Sequence, residues 1–256
     1  MSKNETMLPI MSVDISKIEV DYSYQRPLNL ARVSEMVRNY SATLVRLPVV
    51  SIRKDGRIFA IDGNHTIAVQ KGIGTTGKIN VHYHIGLTVE QEAHEFIRLN
   101  ENGWNGRLQV SACSKFDAAV TARHSNAVEI KSIAKSLGLD VGTKARAIRA
   151  IEALGYAHSN GNLKKTLWTL NTWCPEDSHR FENALIRGMS AFYSRYQHAD
   201  EKHLVRALTD SNLAPSELKA RFNRQKKTYG PGDSYRGQVE AILEIYNKGL
   251  KGSKRL

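Results

Sequence analysis

The residues best suited to chemistry are Asp62-Gly63-Asn64-His65-Thr66, which directly follow an apolar run at 58–61. A strand that ends in a glycine turn and continues as a helix leaves backbone N–H groups at the helix start, and these favour an anion such as phosphate. Gly63 has no Cβ, so the backbone can approach a ligand closely. His65 is expected to donate to the anion or to transfer a proton, with Asp62 orienting the imidazole or holding a metal ion. The structural alternative is that Asp62 and Asn64 cap the helix while His65 packs.

The elements that must position this loop alternate between strand and helix patterns. Asp55-Gly56 lies between two apolar runs, and this pair supplies the positive φ angles of a tight hairpin turn. Thr88 and Gln91 have the spacing of a helix capping box, and Asn29 is a suitable helix N-cap. The predicted elements of the first half are a strand at 15–20, a helix at 29–40, hairpin strands at 48–52 and 57–61, a helix at 65–71, a strand at 78–85 and a helix at 88–100.

The second half contains almost no strand pattern. Apolar spacing and Gly, Pro and Asn breaks predict helices at 111–124, 128–138, 144–155, 163–173, 179–196, 201–209, 216–225 and 235–248. In the helix at 163–173, Trp168 and Trp173 are expected in the core with Leu167 and Leu170. The prediction is therefore an α+β fold: a mixed domain over 1–110 and an all-α region over 111–256.

Four segments occur in the order and spacing of a known family: Tyr24-Gln25-Arg26, Leu47-Pro48-Val49-Val50, Asp62-Gly63-Asn64-His65 and Leu99-Asn100-Glu101-Asn102. This pattern resembles the ParB/sulfiredoxin superfamily, especially ParB-like nuclease-domain proteins with an Asp-Gly-Gln-His-Arg signature. The resemblance covers roughly residues 13–120, and the helical tail through Tyr246–Leu250 is similar to phage and mobile-element members. It implies a compact α+β fold whose signature loop binds a nucleotide phosphate or DNA.

The resemblance also implies roles for individual residues. Arg26 matches an early arginine near phosphate, Gly63, Asn64, His65 and Thr66 match the phosphate loop, and Asn100, Glu101 or Asn102 matches a segment that helps to hold Mg²⁺ beside a nucleoside triphosphate. Two positions depart from the pattern. Thr66 replaces an arginine and removes a bidentate phosphate contact, which argues against efficient hydrolysis of nucleoside triphosphates. Asn64 replaces the catalytic cysteine of sulfiredoxin-like reductases, which excludes reduction of sulfinic acids.

The chain is strongly basic and its charge is uneven. The formal net charge is +12 and the pI is near 9.7, which favours anionic partners and nucleic acid in particular. Residues 1–126 carry a net charge of +3 and residues 127–256 carry +9. The second part is therefore expected to hold a polynucleotide.

Two segments are candidates for DNA contact. Ala134 and Gly138 have the spacing of a helix-turn-helix at 128–150, although the sequence favours the alternative of a plain helical hairpin with a solvated basic face. Farther along, a basic tract at 219–229 interleaves cations with Phe222, which is expected in the core, and Tyr229. The predicted DNA-binding residues are Lys144, Arg146, Arg149, Lys219, Arg221, Arg224, Lys226 and Lys227.

Other features define the class of protein. The two cysteines form no CxxC motif, which argues against a disulfide framework and suits a reducing cytosol. No leader peptide or long apolar run is predicted, so the expected location is the cytoplasm, or a host's cytoplasm or nucleoid if the protein is phage-encoded. His82 and His84 lie two apart on a predicted strand and form an alternative metal site with His65 or His94, although such pairs are common by chance.

Three functions remain open from the sequence. The first is a DNA-interacting ParB-like protein that binds nucleotide or DNA phosphate and acts as an Mg²⁺-dependent nuclease or NTPase. Asp62 and His65 would be its catalytic residues. The second is a non-enzymatic DNA-binding regulator of phage or mobile-element origin, and a homodimer is compatible with either. The third is a small-molecule phosphotransferase, which the basic second half fits least.

Overall fold

A computed structural model describes residues 8–42, 45–101, 110–229, 235–248, 250 and 255–256, with only the backbone of residues 101 and 226–229. The chain divides into two compact units, Met1–His124 and Ser125–Leu256. The first unit is a mixed α+β structure and the second is helical. The predicted α+β fold class with a helical C-terminal region is confirmed.

Where the structure describes it, the first unit contains a five-stranded sheet, four α-helices and a 3₁₀ helix. In chain order its elements are β1 Ile10–Asp14, a 3₁₀ helix Ile15–Lys17, β2 Ile18–Glu19, α1 Leu30–Arg38, β3 Val49–Ile52, β4 Ile58–Asp62, α2 Asn64–Gly72, β5 Lys78–Ile85, α3 Val89–Glu101 and α4 Ala112–Thr121.

The sheet has the strand order β1-β5-β3-β4-β2, with β3 antiparallel to β4 and parallel to β5. The predicted hairpin is confirmed: Gly56 has a φ of +81°, and the Arg53 N–H donates to the Arg57 carbonyl at 2.9 Å. β4 lies between β3 and β2, and both sheet faces are covered at this point. Ala60 packs with Ile67 of α2, and Ile61 packs with Phe96 of α3. This explains why β4 is a continuous apolar run.

Two predicted helix starts are confirmed by their hydrogen bonds. The side chain of Asn29 accepts from the Arg32 N–H at 3.1 Å and so caps α1. Thr88 and Gln91 form a reciprocal capping box, with the Thr88 N–H donating to Gln91 Oε1 at 2.9 Å. Local side-chain chemistry therefore determines where both helices begin.

The strand predicted at 15–20 is wrong over its first half. Residues 15–17 form a 3₁₀ turn, because Asp14 Oδ1 accepts from both the backbone N–H and the hydroxyl of Ser16. Such a local side-chain contact competes with the sheet hydrogen bonds. Only Ile18–Glu19 is strand, and the preceding strand β1 was missed.

The helix α4 lies in the first unit, whereas the predicted division at residue 110 precedes it. Ala118 and Ala122 of α4 share one buried cluster with Phe96 and Ala93 of α3. Burial of these apolar side chains against α3 holds α4 on the sheet domain.

The described residues of the second unit form helices, a 3₁₀ segment and the connections between them. Its elements are α5 Ser125–Ser136, α6 Ile151–Ser159, α7 Leu163–Trp173, a 3₁₀ helix Ser178–Phe181, α8 Asn183–Arg195, α9 Glu201–Asp210, α10 Pro215–Tyr229 and α11 Arg236–Asn247. Trp173, Leu167, Leu170 and Phe222 are buried as predicted. Trp168 is not in the core, because it lies half-exposed on α7. No helix among the described residues is long and apolar enough to cross a membrane.

The helix predicted at 144–155 is wrong before residue 151, and with it the helix-turn-helix at 128–150. Val141 pairs with Ile148 as an isolated β-bridge, and the Ile148 N–H donates to the Asp140 carbonyl at 2.8 Å. Arg146 has a φ of +64°, which a right-handed helix does not allow. Lys144, Arg146 and Arg149 therefore lie on a compact loop between α5 and α6.

Candidate functional site

The turn between β4 and α2 is built on Gly63. Its φ of +85° lies in the left-handed region, and a Cβ added there would approach Pro48 Cα to 2.9 Å. The Gly63 carbonyl accepts from the Ile67 N–H at 2.9 Å, which is the first hydrogen bond of α2. Glycine is required here for its backbone conformation and for the close packing on Pro48.

Gly63 is the N-cap of α2, and glycine has no side chain to cap the helix. The N-cap position therefore belongs to Gly63 and not to Asp62 or Asn64. Asn64 is only 7% exposed, and its Nδ2 is buried without a partner among the described residues. The helix thus begins at a residue without a capping side chain, next to the buried Asn64 amide, whose Nδ2 lacks an acceptor among the described atoms, and both features favour an anionic ligand.

The segment that carries Arg26 is attached to the end of β4 by the residue before it. The buried Gln25 side chain donates from Nε2 to the carbonyls of Ala60 and Ile61. These carbonyls immediately precede Asp62 in the chain. Gln25 therefore holds Arg26 beside the signature loop.

A buried ionic network fixes the same segment from its other side. Glu92 of α3 is completely buried, and its carboxylate accepts from Arg53 Nε at 2.9 Å and from the Tyr24 hydroxyl at 3.1 Å. Arg53 also binds Asp21 at 2.7 Å and lies over the ring of Phe59. Burial and the neighbouring Glu92 charge raise the pKa of Tyr24, so its hydroxyl stays protonated and donates.

His65 is held as a neutral imidazole. Its Nε2 accepts from the Asn29 backbone N–H at 3.3 Å, which leaves the ring proton on Nδ1. Burial, followed by the charges of Arg26 and Arg32, lowers the pKa of His65 below its ordinary value of 6.5. The two arginines and the imidazole therefore converge at the start of α2.

The charges around Arg26 are unbalanced. Its pKa is lowered by burial and then by the nearby Arg32, while Asp62 acts in the opposite direction. Two guanidinium groups that repel each other in a partly buried site favour the binding of an anion between them. Asp62 itself lies at the end of β4, where it acts on Arg26.

A groove of about 340 Å³ lies next to this cluster, between α1 and α2. Arg32 and Thr66 form part of its wall. The remaining lining residues include Met36, Tyr40, Val45 and Val69, together with polar groups of α1. The groove is of the size and mixed polarity of small-molecule sites.

The predicted metal ligands do not form a site among the described residues. Asn100 Nδ2 donates to the Phe96 carbonyl at 2.7 Å, Asn102 lies outside the described residues, and so does the side chain of Glu101. No group of three or more His, Cys, Asp or Glu side chains occurs where the structure describes them. Because the side chains of Glu101 and Asn102 lie outside the described residues, the Mg²⁺ site at residues 100–102 stays a prediction.

The histidines of β5 are also placed separately. His82 Nδ1 donates to the Leu8 carbonyl at 3.0 Å. His84 Nε2 and its neighbour across the sheet, Ser51 Oγ, are both buried without a partner among the described atoms. Neither belongs to a metal-ligand cluster in the described part of the chain.

Two of the predicted DNA-binding residues line a groove of about 820 Å³ in the second unit. Arg146 and Arg149 lie on one wall, and Arg180 lies among residues 175–182 on the other. Two acidic residues also line this groove: Glu176 is exposed, and Glu182 is paired with Lys219 and with His179. The groove therefore concentrates three guanidinium groups, and Arg180 was missed by the sequence analysis.

The basic tract of α10 contributes less charge than its composition indicates. Lys219 is neutralised by Glu182. Arg221 is half-buried, Arg224 is exposed, and the side chains of Lys226 and Lys227 lie outside the described residues.

Gln25, Arg32 and Glu92 were also missed as site residues. Gln25 is part of the Tyr24-Gln25-Arg26 motif, so the motif was a usable signal. Arg32 and Glu92 occur on helices with ordinary charged patterns. The packing of α1 brings Arg32 to the loop, and the packing of α3 brings Glu92 to Tyr24, in the segment that holds Arg26.

The pH dependence of stability is expected to report on His65. Because its pKa is lower in the folded chain, the unfolded chain binds protons more readily, and stability is lost as the pH falls below about 6.5. His65→Asn should therefore lose less stability than the wild type between pH 7 and pH 5, as measured by urea unfolding. His198→Asn, an exposed histidine of the second unit, is the control. Equal losses of unfolding free energy between pH 7 and pH 5 in His65→Asn and the wild type would contradict the burial of a neutral His65.

Three comparisons relate the chain to known proteins. A search of the curated proteins gave no match. A pNOB8-like ParB N-domain structure is 16% identical, with 98% of this chain and 100% of that chain covered and a TM-score of 0.42. A ParB N-domain in a C222₁ crystal form is 15% identical, with coverages of 91% and 97% and the same TM-score. A family model described as "Family of unknown function (DUF6551)" matches residues 20–255, and the chain belongs to this family.

Proposed function

We propose that the first unit binds the phosphate of a nucleotide at the start of α2, and that the protein interacts with DNA. The observation that carries the phosphate site is the convergence of Arg26, Arg32 and the neutral His65 on a helix start whose N-cap, Gly63, has no side chain. Backbone N–H groups at such a start bind anions, and the helix dipole favours negative charge there.

Arg32 is a candidate to replace the arginine of the Asp-Gly-Gln-His-Arg signature, which is Thr66 in this chain. Arg32 of α1 and Thr66 of α2 line the same groove beside the loop, which supports Arg32 as the source of the missing guanidinium. Arginine provides bidentate contacts to phosphate that threonine cannot make. The departure at position 66 is therefore compatible with phosphate binding.

The groove next to the loop favours a nucleotide over inorganic phosphate. Its apolar wall at Met36 and Val69 and its volume of about 340 Å³ suit a nucleoside attached to the bound phosphate. We propose binding as the primary activity. Turnover, as a nuclease, NTPase or phosphotransferase, is a separate outcome to be measured with Mg²⁺ and Mn²⁺ present.

Arg26→Ala and Arg32→Ala are each expected to weaken nucleotide binding roughly 10- to 100-fold, since a hydrogen bond to a charged group contributes about 1.5–3 kcal/mol. Thermal shift with a panel of nucleoside mono-, di- and triphosphates identifies the ligand, because binding to the native state raises the melting temperature. Calorimetric titration of the best ligand then measures the loss.

Arg38→Ala is the matched control, because Arg38 is an exposed arginine at the end of the same helix as Arg32. It should bind like the wild type. No shift with any nucleotide, or equal affinity in Arg26→Ala and Arg38→Ala, would refute the phosphate site.

The DNA interaction is proposed from the charge of the second unit. Its net charge of +9 includes the arginine groove, where Arg146, Arg149 and Arg180 lie with Glu176 and with Glu182, which is already paired with Lys219. Arg146 has a positive φ, and such strained conformations cluster at functional sites. A polyanion that follows this groove would contact the DNA backbone without reading its sequence.

The double variant Arg146→Ala/Arg149→Ala is expected to lose roughly two phosphate contacts with a DNA duplex. The slope of the logarithm of the binding constant against the logarithm of salt concentration should then become less negative by about 1.8. Fluorescence anisotropy of a labelled duplex over a salt series measures the slope. Arg195→Ala, at the end of α8 and outside the groove, is the control. Salt-independent binding, or an unchanged slope in the double variant, would contradict the assignment.

A further inference from the structure

The second unit contains another groove, of about 670 Å³, which shares no residue with the arginine groove. It lies between α7 and the start of α9. Its lining residues are Gly161, Lys164, Lys165, Trp168, Ala199, Asp200, Glu201 and Lys202.

Trp168 is the distinctive residue of this groove. Its apolar neighbours on α7, Leu167 and Leu170, are fully buried, whereas Trp168 is half-buried and lines the groove. Lys164 precedes it by four residues, which places both side chains on one face of the helix. An indole ring at a groove opening beside a lysine offers a stacking surface and a cation together.

The free charge of the groove is positive. Lys164 and Lys202 are exposed, and neither has an acidic partner among the described residues. The two acidic residues are engaged: Asp200 caps α9 by accepting from the Lys202 and His203 N–H groups, and Glu201 lies 3.6 Å from Lys165.

The side chain of Lys165, which lines the groove, is held in place by its contacts. Its Nζ donates to the Ala199 carbonyl at 2.7 Å and lies 4.5 Å from the centre of the Tyr193 ring. These contacts tie α7 to the segment that leads into α9. The spacing of Trp168 relative to Lys202 is therefore set by the fold and not by flexible loops.

We propose that this groove binds single-stranded nucleic acid, with an unpaired base stacked on Trp168 and adjacent phosphates at Lys164 and Lys202. Every base has a π-face and every linkage a negative charge, so this combination binds strands with little sequence preference. Paired bases in a duplex have no free face to offer the indole. The inference does not require the phosphate site of the first unit.

The test is a titration of the full chain with a short oligothymidylate, followed by tryptophan fluorescence and by anisotropy of a labelled strand. Stacking on Trp168 should quench part of the fluorescence. Trp168→Ala should weaken binding roughly 5- to 150-fold, the loss measured when stacking aromatics are truncated. Trp168→Phe keeps a smaller ring and should retain part of the affinity. In the double variant Lys164→Ala/Lys202→Ala, the slope of the logarithm of the strand-binding constant against the logarithm of salt concentration should become less negative by about 1.4.

Trp173→Phe is the matched control, because Trp173 is buried in the same helix and outside the groove. Undiminished strand binding in Trp168→Ala, or no binding of the strand at all, overturns the proposal. Thymidine monophosphate that binds as tightly as the oligonucleotide overturns the strand as ligand. Arg26→Ala/Arg32→Ala should leave strand binding at Trp168 unchanged, so failure of the phosphate site is recognised separately.

Discussion

Glu92→Ala is expected to lower the free energy of unfolding by about 3–5 kcal/mol, the range for breaking a buried ion pair. The carboxylate is completely buried, and its removal leaves the Arg53 guanidinium, which is only 17% exposed, without its main partner. The hydrogen bond with Glu92 is also the main cause that raises the pKa of Arg53. Urea unfolding of the variant and the wild type measures the difference.

Glu95→Ala is the matched control, because Glu95 lies three residues farther along α3 and pairs with the exposed Arg98. Surface pairs of this kind contribute about 0–1 kcal/mol. Glu92→Leu/Arg53→Leu should cost less than the sum of its single variants, since no buried charge remains unpaired. A loss in Glu92→Ala no larger than that in Glu95→Ala would contradict the network.

The network also has a functional consequence. Glu92 holds Tyr24, and Tyr24 and Gln25 immediately precede Arg26. Glu92→Gln keeps the shape of the side chain but weakens this anchor. It is expected to reduce nucleotide affinity under conditions where the variant is still folded, which identifies Glu92 as a positioning residue.

Gly63→Ala is expected to lower the free energy of unfolding by roughly 2–5 kcal/mol and to abolish phosphate binding. Alanine in the left-handed region costs about 1–2 kcal/mol, and overpacking adds about 1–3 kcal/mol. The overlap is severe, because the new Cβ would lie 2.9 Å from the backbone Cα of Pro48. Chemical denaturation and calorimetric titration give the two readouts.

Gly56 separates the two causes. Its φ of +81° is nearly the same as that of Gly63, but no atom lies within 4 Å of a Cβ added there. Gly56→Ala should therefore show the conformational cost alone. Gly63→Asn should remain destabilising, because asparagine tolerates the left-handed region but still overlaps Pro48. Equal losses at both glycines would refute the close packing at Gly63.

The local elements of the first unit were largely predictable from the sequence. The Asp55-Gly56 turn, the Asn29 cap and the Thr88–Gln91 capping box each depend on residues within four positions, so their chemistry is readable from adjacent letters. Gly63 was identified for the same reason. Predictions failed where a local contact replaced the apparent pattern, as with Asp14 and Ser16.

The second unit shows the limit of periodicity. Residues 144–150 have a composition that suits a helix, yet the bridge between Val141 and Ile148 closes them into a loop with Arg146 at a positive φ. Trp168 has the spacing of a core residue but faces a groove. In both cases a contact between segments outweighs a helical preference that is weak for each residue.

The sequence by itself determined the fold class, the basic second half and the glycine loop, because composition, charge and short-range spacing are properties of neighbouring residues. Only the tertiary structure decided which side chains meet at that loop. Arg32 comes from α1 and Gln25 from the segment before it, and both lie about 30 or more residues before the loop in the chain. The buried Glu92 comes from α3 and binds Tyr24, which lies 68 residues before it. Burial of apolar faces on the two sides of one sheet brings these distant segments together, and no periodic pattern records which charged residues they carry.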